Sequence, residues 1–293
     1  MPQAITASGL TLEYDTFGSP TDPPVLLVMG FTAQMIAWND AFCKGIADGG
    51  RFVIRFDNRD CGLSSKLDGQ MVDMMAIMGA VATRQPDLLV GKVPYLLSDM
   101  SHDAFAVLDA LGIERAHIVG ASMGGMIVQT MAIEHPDRVL SLTSIMSTTG
   151  EPEYGRSSPE AQTALLTPPP SDRAGVIAAA PRSLAFASKR YGDAERAKEF
   201  AALSFDRCFY PEGAARQLGA IFASGSRAEG LRSVCAPTLV IHGADDTLIS
   251  PDGGRRTAEL IPDATLLMVD DMGHDLPEQL WPDITAALLT HTA

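Results

Sequence analysis

Two patterns of hydrophobic and polar positions alternate along the chain. The first is the uninterrupted apolar run, best seen in Val25-Leu26-Leu27-Val28-Met29 after Pro23-Pro24. A run with no polar face suits a strand covered on both sides, as in a parallel sheet. Phe52 to Arg55, His117 to Val119, Val139 to Ile145, Pro237 to His242 and Thr265 to Val269 predict further strands of this kind. The second pattern is helical. From about Ser98 to Leu111 the apolar residues Ala104, Phe105, Leu108 and Leu111 share one face, and Gly112 stands where a helix-ending glycine belongs. Helices are also predicted from about Trp38 to Asp48, from Gly125 to Ala132, near Gly254 to Leu260, and from about Pro277 to Leu289. At the start, Ala4 to Thr6, a Ser8-Gly9 turn and Leu10 to Asp15 predict a hairpin. There Thr11, Glu13 and Asp15 alternate with Leu12 and Tyr14, which suits a half-exposed antiparallel edge. Strands alternating with helices predict an α/β chain with a mostly parallel sheet, right-handed crossovers and a site at the carboxyl ends of the strands.

Two stretches break the rhythm. From about Thr148 to Arg232 the chain is rich in Ala, Pro, Ser and Arg, holds Pro168-Pro169-Pro170, and shows no strand pattern. It is too long for a structureless connection. Its reading is a helical cap, residues 148–232, inserted between two parts of a core, residues 1–147 and 233–293. The second stretch, Leu67 to Val93, carries Met71, Met74, Met75 and Met78 at helical spacing. These methionines form either one core-packed helix face or an adaptable apolar lid over the site, in which Met75 and Met78 line a substrate pocket.

The candidate chemistry centres on Gly120-Ala121-Ser122-Met123-Gly124, a G-x-S-x-G sequence between a short apolar strand and a good helix former. A serine on such a sharp turn is presented at the carboxyl edge of the sheet. A serine hydroxyl is a weak nucleophile until a histidine takes its proton and a carboxylate fixes that histidine. Of the six histidines, His274 lies in a loop after the last predicted strand and is the expected base, with His242 its rival. His102 reads as solvated and His135 as a helix end. The carboxylate is expected in Gly243-Ala244-Asp245-Asp246, where spacing alone leaves Asp245 and Asp246 equivalent. An oxyanion needs backbone donors, expected from Met123, just after the serine, and from Phe31 in the Met29-Gly30-Phe31 turn. Met29 and Gly30 are expected beside the pocket.

These segments together resemble the α/β-hydrolase-fold enzymes. The resemblance rests on Val28-Met29-Gly30-Phe31, Arg55-Phe56-Asp57-Asn58-Arg59-Asp60-Cys61-Gly62-Leu63-Ser64, the serine turn, His242-Gly243-Ala244-Asp245-Asp246 and Gly273-His274. It implies an α/β-hydrolase fold with an inserted helical cap, and it selects Asp246 as the acid. It also implies that Asp57 and Arg59 brace a turn beside the site. The Met-Gly pair and the D-x-R-D-x-G-x-S stretch are similar to the branch containing the aclacinomycin methylesterase, whose members are small-molecule ester hydrolases. Many relatives carry His-Gly where this chain has Met29-Gly30, so the usual brace of that loop is missing.

Composition narrows the remaining choices. The 293 residues carry a formal charge of −14, which argues against nucleic acid as a partner. No apolar run reaches the length of a membrane span. Met1-Pro2-Gln3-Ala4 has no secretory character, so a cytoplasmic location is expected. Cys43, Cys61, Cys208 and Cys235 are widely spaced and read as reduced thiols, with no metal site. The expected activity is cofactor-free and metal-free hydrolysis of small-molecule carboxylic esters through an acyl-enzyme. The alternatives are a lactonase, C–C bond hydrolase or perhydrolase on the same residues, and a non-catalytic receptor of the same fold.

Overall fold

The apolar runs assemble into an eight-stranded sheet in a computed structural model that describes residues 2–83, 85–89 and 91–293. Met1, Arg84 and Val90 lie outside the described residues. The strands are β1 (Gln3–Ile5), β2 (Thr11–Phe17), β3 (Pro24–Val28), β4 (Phe52–Phe56), β5 (Ala116–Ala121), β6 (Val139–Ile145), β7 (Thr238–Gly243) and β8 (Thr265–Val269). Their spatial order is β1-β2-β4-β3-β5-β6-β7-β8. β1 and β2 pair antiparallel and β2 pairs antiparallel with β4, while every pairing from β4 to β8 is parallel.

The helices are α1 (Asp40–Asp48), α2 (Met74–Thr83), α3 (Leu97–Ala110), α4 (Met123–Glu134), α5 (Pro159–Leu166), α6 (Arg173–Ala179), α7 (Ala194–Arg207), α8 (Gly213–Ala223), α9 (Ala228–Leu231), α10 (Asp252–Leu260) and α11 (Trp281–His291). The run Val25 to Val28 shows why a buried parallel strand loses its polar alternation. Leu26 and Val28 enter a core shared with α3 and α4, and Val25 and Leu27 enter the opposite core shared with α1 and α11. Both faces are apolar because helices cover both.

The expected hairpin forms the antiparallel edge of the sheet, with β1 outermost and β2 between β1 and β4. Three expectations shift. The polar face expected of β2 is partly covered, since Glu13 is only 4% exposed. α1 starts at Asp40 because Asn39 caps it, its Oδ1 accepting the Ala41 N–H at 2.8 Å. The last helix opens with a 3₁₀ turn over Glu278–Leu280 before α11. Gly112 follows α3 at φ +69°, the conformation a side chain disfavours.

The core-packing reading of the methionine stretch is overturned. Met71 is 87% and Met75 81% exposed, and Met74 and Met78 also face outward. Among the residues of α2 whose side chains are described, Ile77 and Ala80 are buried, and the helix packs against α8 and the 3₁₀ turn Pro86–Leu89. Methionine spacing marked a helix face without saying which way it points.

No described helix is long and apolar enough to cross a membrane. Cys43, Cys61, Cys208 and Cys235 are free thiols. Burial pushes Cys43 up to about 12 and raises Cys61 further, so neither is poised to react at neutral pH.

One buried histidine makes stability pH-dependent. His117 in β5 shares a 2.8 Å hydrogen bond with Ser141 in β6, and burial, Arg51 and His291 hold it down to about 4 from an ordinary 6.5. The folded chain thus binds this proton less readily than the unfolded one. Its contribution is complete above pH 6.5 and is lost as pH falls toward 4. Urea midpoints should drop across that window, and His117→Gln should flatten the drop. An unchanged slope in the variant would assign it to other groups.

Candidate active site

Ser122 sits between β5 and α4 with φ 56° and ψ −119°, a strained conformation for a non-glycine residue. Two hydrogen bonds to its own backbone hold it there: its N–H donates to Ile145 O at 2.9 Å, and its carbonyl accepts Ser147 Oγ–H at 2.8 Å. The turn is too tight for side chains on either flank. A Cβ on Gly120 would lie 2.1 Å from Gly124 O, and one on Gly124 would lie 2.0 Å from Val28 O.

The loop after β8 carries His274 to the serine. Its Nε2 lies 2.9 Å from Ser122 Oγ, and its Nδ1 lies 2.8 Å from Asp246 Oδ2 in the loop after β7. An ionised carboxylate only accepts, so Nδ1 carries the proton and Nε2 is left to accept from the serine hydroxyl. Phe186, from the segment between β6 and β7, accepts the His274 backbone N–H at 2.7 Å and sets its ring edge-on to the imidazole. Asp246 is 3% exposed. Burial pushes its pKa up, but the charge of His274 and hydrogen bonds from His242 and His274 outweigh this and hold it down to about 2. Its Oδ1 accepts the N–H groups of Leu248 and Ile249, each at 2.9 Å. Asp245 instead points to the surface, 3.7 Å from Lys189 Nζ.

The turn after β3 approaches the serine closely. A Cβ on Gly30 would stand 3.0 Å from Ser122 Cβ. Among the described residues no protein acceptor takes the Phe31 N–H. Met123 opens α4, where an amide has no acceptor within its own helix. Phe31 follows Gly30 and Met123 follows Ser122, and among the described residues neither amide has a protein acceptor. The arrangement can take a proton from an alcohol, stabilise the resulting imidazolium, and receive a developing oxyanion.

Comparison with known proteins gives the family of the chain. Residues 23–279 match the family model described as the alpha/beta hydrolase fold. The chain belongs to the alpha/beta hydrolase fold family. It is 28% identical to a rhodomycin D methylesterase of Streptomyces peucetius, over 98% of this chain and 97% of that one. Among solved structures it is similar to an enol-lactonase from Burkholderia xenovorans LB400, with a TM-score of 0.73 and 22% identity over 99% of each chain. It is also similar to Est816, described as an N-acyl homoserine lactone degrading enzyme, with a TM-score of 0.68 and 26% identity over 99% of each.

Other expected residues of this alpha/beta hydrolase take different places. His242 is fully buried and does not reach the serine. Its Nε2 lies 2.8 Å from Ile249 O and 3.4 Å from Asp246 Oδ2, so it flanks the acid. Its position four residues before Asp246 on a strand end was the one available signal of that role. Met29 and Met123 bury their side chains in the two cores. Strand alternation turns Met29 to the same side as Val25 and Leu27. Met75 and Met78 lie on the exposed face of α2. Asp57 accepts the Met35 N–H at 2.7 Å and the Leu63 N–H at 2.8 Å and pairs with Arg207 at 2.7 Å, while Arg59 grips Asp103 through two nitrogens. Both brace the loops beside the site.

His135 ends α4, and His102 is exposed on α3. With Glu134 they form the group of metal-ligand type found among the described residues, its donor atoms within 4.8 Å of one another. It lies at the far end of α4 from Ser122, about 18 Å along the helix.

Two braces escaped the sequence reading. Asn58 Nδ2 donates to Met29 O at 2.8 Å, and Gln217 Oε1 in α8 accepts the Thr32 N–H at 2.8 Å. Asn58 lay inside a recognised motif. Gln217, 185 residues from its partner, carried no local signal.

Proposed function

We propose that the protein hydrolyses carboxylic esters of small molecules through an acyl-enzyme on Ser122. The observation that carries this is the continuous hydrogen-bonded chain from Ser122 through His274 to Asp246, beside the unused amides of Phe31 and Met123. Ser122 Oγ attacks the ester carbonyl as His274 Nε2 takes its proton. The carbonyl oxygen becomes an oxyanion held by the Phe31 and Met123 N–H groups. His274 then returns the proton to the departing alcohol, the C–O bond breaks, and Ser122 is acylated. Water enters, loses its proton to His274, and releases the acid and the serine. No cofactor or metal enters these steps.

The kinship to a methylesterase over almost the whole chain supports an ester substrate. The likeness to Est816 favours a second reading, in which the ester is cyclic and the acid and alcohol leave as one molecule. Residues 148–232 serve as a cap that sets acyl and alcohol preference, since Phe186 and Gln217 within them touch the site. The exposed methionines of α2, which packs on α8, form an adaptable apolar border beside that cap.

The test is a panel of short and long acyl esters, methyl esters and N-acyl homoserine lactones, with p-nitrophenyl diethyl phosphate as inhibitor. The phosphate should abolish turnover and leave one diethylphosphoryl group on the peptide holding Ser122. Modification elsewhere, or full activity after stoichiometric modification, would remove the acyl-enzyme reading. Turnover of lactones alone would move the assignment to the second reading.

A further inference from the structure

We infer that Gln217 is a positioning residue for the oxyanion amide of Phe31, through which the segment between β6 and β7 controls the rate of acyl transfer. The inference rests on the proposed function, because it assigns a helper to a donor of that mechanism. Three consecutive peptide groups after β3 decide it. The Met29–Gly30 carbonyl is held by Asn58 Nδ2 at 2.8 Å. The Phe31–Thr32 N–H is held by Gln217 Oε1 at 2.8 Å. Between them lies the Gly30–Phe31 peptide, whose N–H no described acceptor takes and whose carbonyl accepts the Ala33 N–H at 3.3 Å. Pinning both neighbours fixes the plane of the middle peptide, and with it the aim of the free N–H.

The loop needs this support. Thr32 stands at φ 56°, in the left-handed region that a β-branched residue disfavours. Two side chains hold it there: Gln217 at its N–H and Cys61, whose Sγ–H donates to Thr32 O at 3.3 Å. Met29, just before the glycine, buries its side chain in the core and offers the loop no hydrogen bond. The primary amide of Gln217 supplies one.

The chemistry of Gln217 suits that role and little else. It is 0% exposed. Its oxygen accepts from Thr32, and its Nε2 donates to Arg59 O at 2.9 Å. One flat group thus ties the loop after β3 to the loop after β4. A carboxylate could accept but not donate, and an aliphatic side chain could do neither. The helix itself is docked by its neighbour. Arg216 makes two 2.8 Å hydrogen bonds to Asp60, and Asp60 also accepts from Tyr95. Loss of the Gln217 amide therefore leaves α8 seated while freeing the loop.

The experiment compares the wild-type full chain with Gln217→Leu and Gln217→Glu on p-nitrophenyl butyrate. Affinity for an aryl trifluoromethyl ketone, which forms a tetrahedral adduct on a serine, is measured alongside. Misaiming one donor should lower kcat of Gln217→Leu by about 10–100-fold with KM within a few-fold. Ketone affinity should fall by a similar factor, and Gln217→Glu, which keeps the acceptor, should retain more activity. A merely structural role would instead lower the melting temperature and leave kcat and ketone affinity unchanged below it. That outcome overturns the inference, as does a change confined to KM. Should the leucine variant not fold, the ranking of Gln217→Glu below wild type in kcat and ketone affinity decides alone. Ser122→Ala separates the two levels. If it abolishes turnover while Gln217→Leu matches wild type, only this inference falls; if it retains turnover, the proposed function falls with it.

Discussion

Ser122→Ala should lower kcat for p-nitrophenyl butyrate by on the order of 10⁶, close to the loss of all catalysis that depends on the hydroxyl. Nothing else at the turn should move. The contacts that hold the elbow act on the backbone of Ser122, its N–H donating to Ile145 O and its carbonyl accepting from Ser147 Oγ–H, and alanine keeps both. Its Cβ occupies the place the serine Cβ already holds at φ 56°. The variant should therefore unfold at the wild-type temperature and still bind a slow substrate. Its residual rate measures what positioning and the two free amides contribute without a nucleophile. Steady-state kinetics with a melting curve check this. A folded variant that keeps more than about a tenth of wild-type kcat would remove the serine from the mechanism, because no positioning effect replaces an absent nucleophile.

Asp246→Asn should cost about 10⁴ in kcat, and Asp245→Asn should change it little. The reason lies in which oxygen does what. Oδ1 of Asp246 accepts from Leu248 and Ile249, so an asparagine there must keep its oxygen on that side. Its –NH₂ then faces His274 Nδ1, 2.8 Å away in the native geometry. An amide donor in that place forces Nδ1 to give up its proton, and the neutral ring then carries it on Nε2. Nε2–H cannot accept from Ser122, so the base is held in its wrong tautomer. The same geometry explains why Asp245 is spared. Its carboxylate faces solvent near Lys189 and touches neither imidazole. Paired variants assayed across pH decide the matter, and equal losses from both, or a larger loss from Asp245→Asn, would overturn the assignment.

Much of the architecture was legible because it depends on local rules. A strand covered on both faces must read as an apolar run, and Val25 to Val28 does. A serine turn needs small flanking residues, and Gly120 and Gly124 supply them. The order of serine, acid and histidine along the chain follows from where β5, β7 and β8 end. Orientation was not legible. Helical spacing grouped Met71, Met74, Met75 and Met78 but could not turn them outward. Alternation in β2 could not reveal that Glu13 on its polar face is buried. The choice between Asp245 and Asp246 needed a family resemblance, because adjacent residues in a turn differ only in direction.

By itself, the amino-acid sequence determined the parallel sheet, the strained serine turn and the types of residue available for acid–base work. These are properties of short segments, set by periodicity, sterics and side-chain chemistry. Tertiary structure alone decided that His274 meets Ser122 and Asp246 while His242 sits behind the acid, and that Gln217 clasps a loop 185 residues away. Such contacts are fixed by how distant elements pack, and a hydrogen bond of under 3 Å leaves no trace in the spacing of residues along a chain.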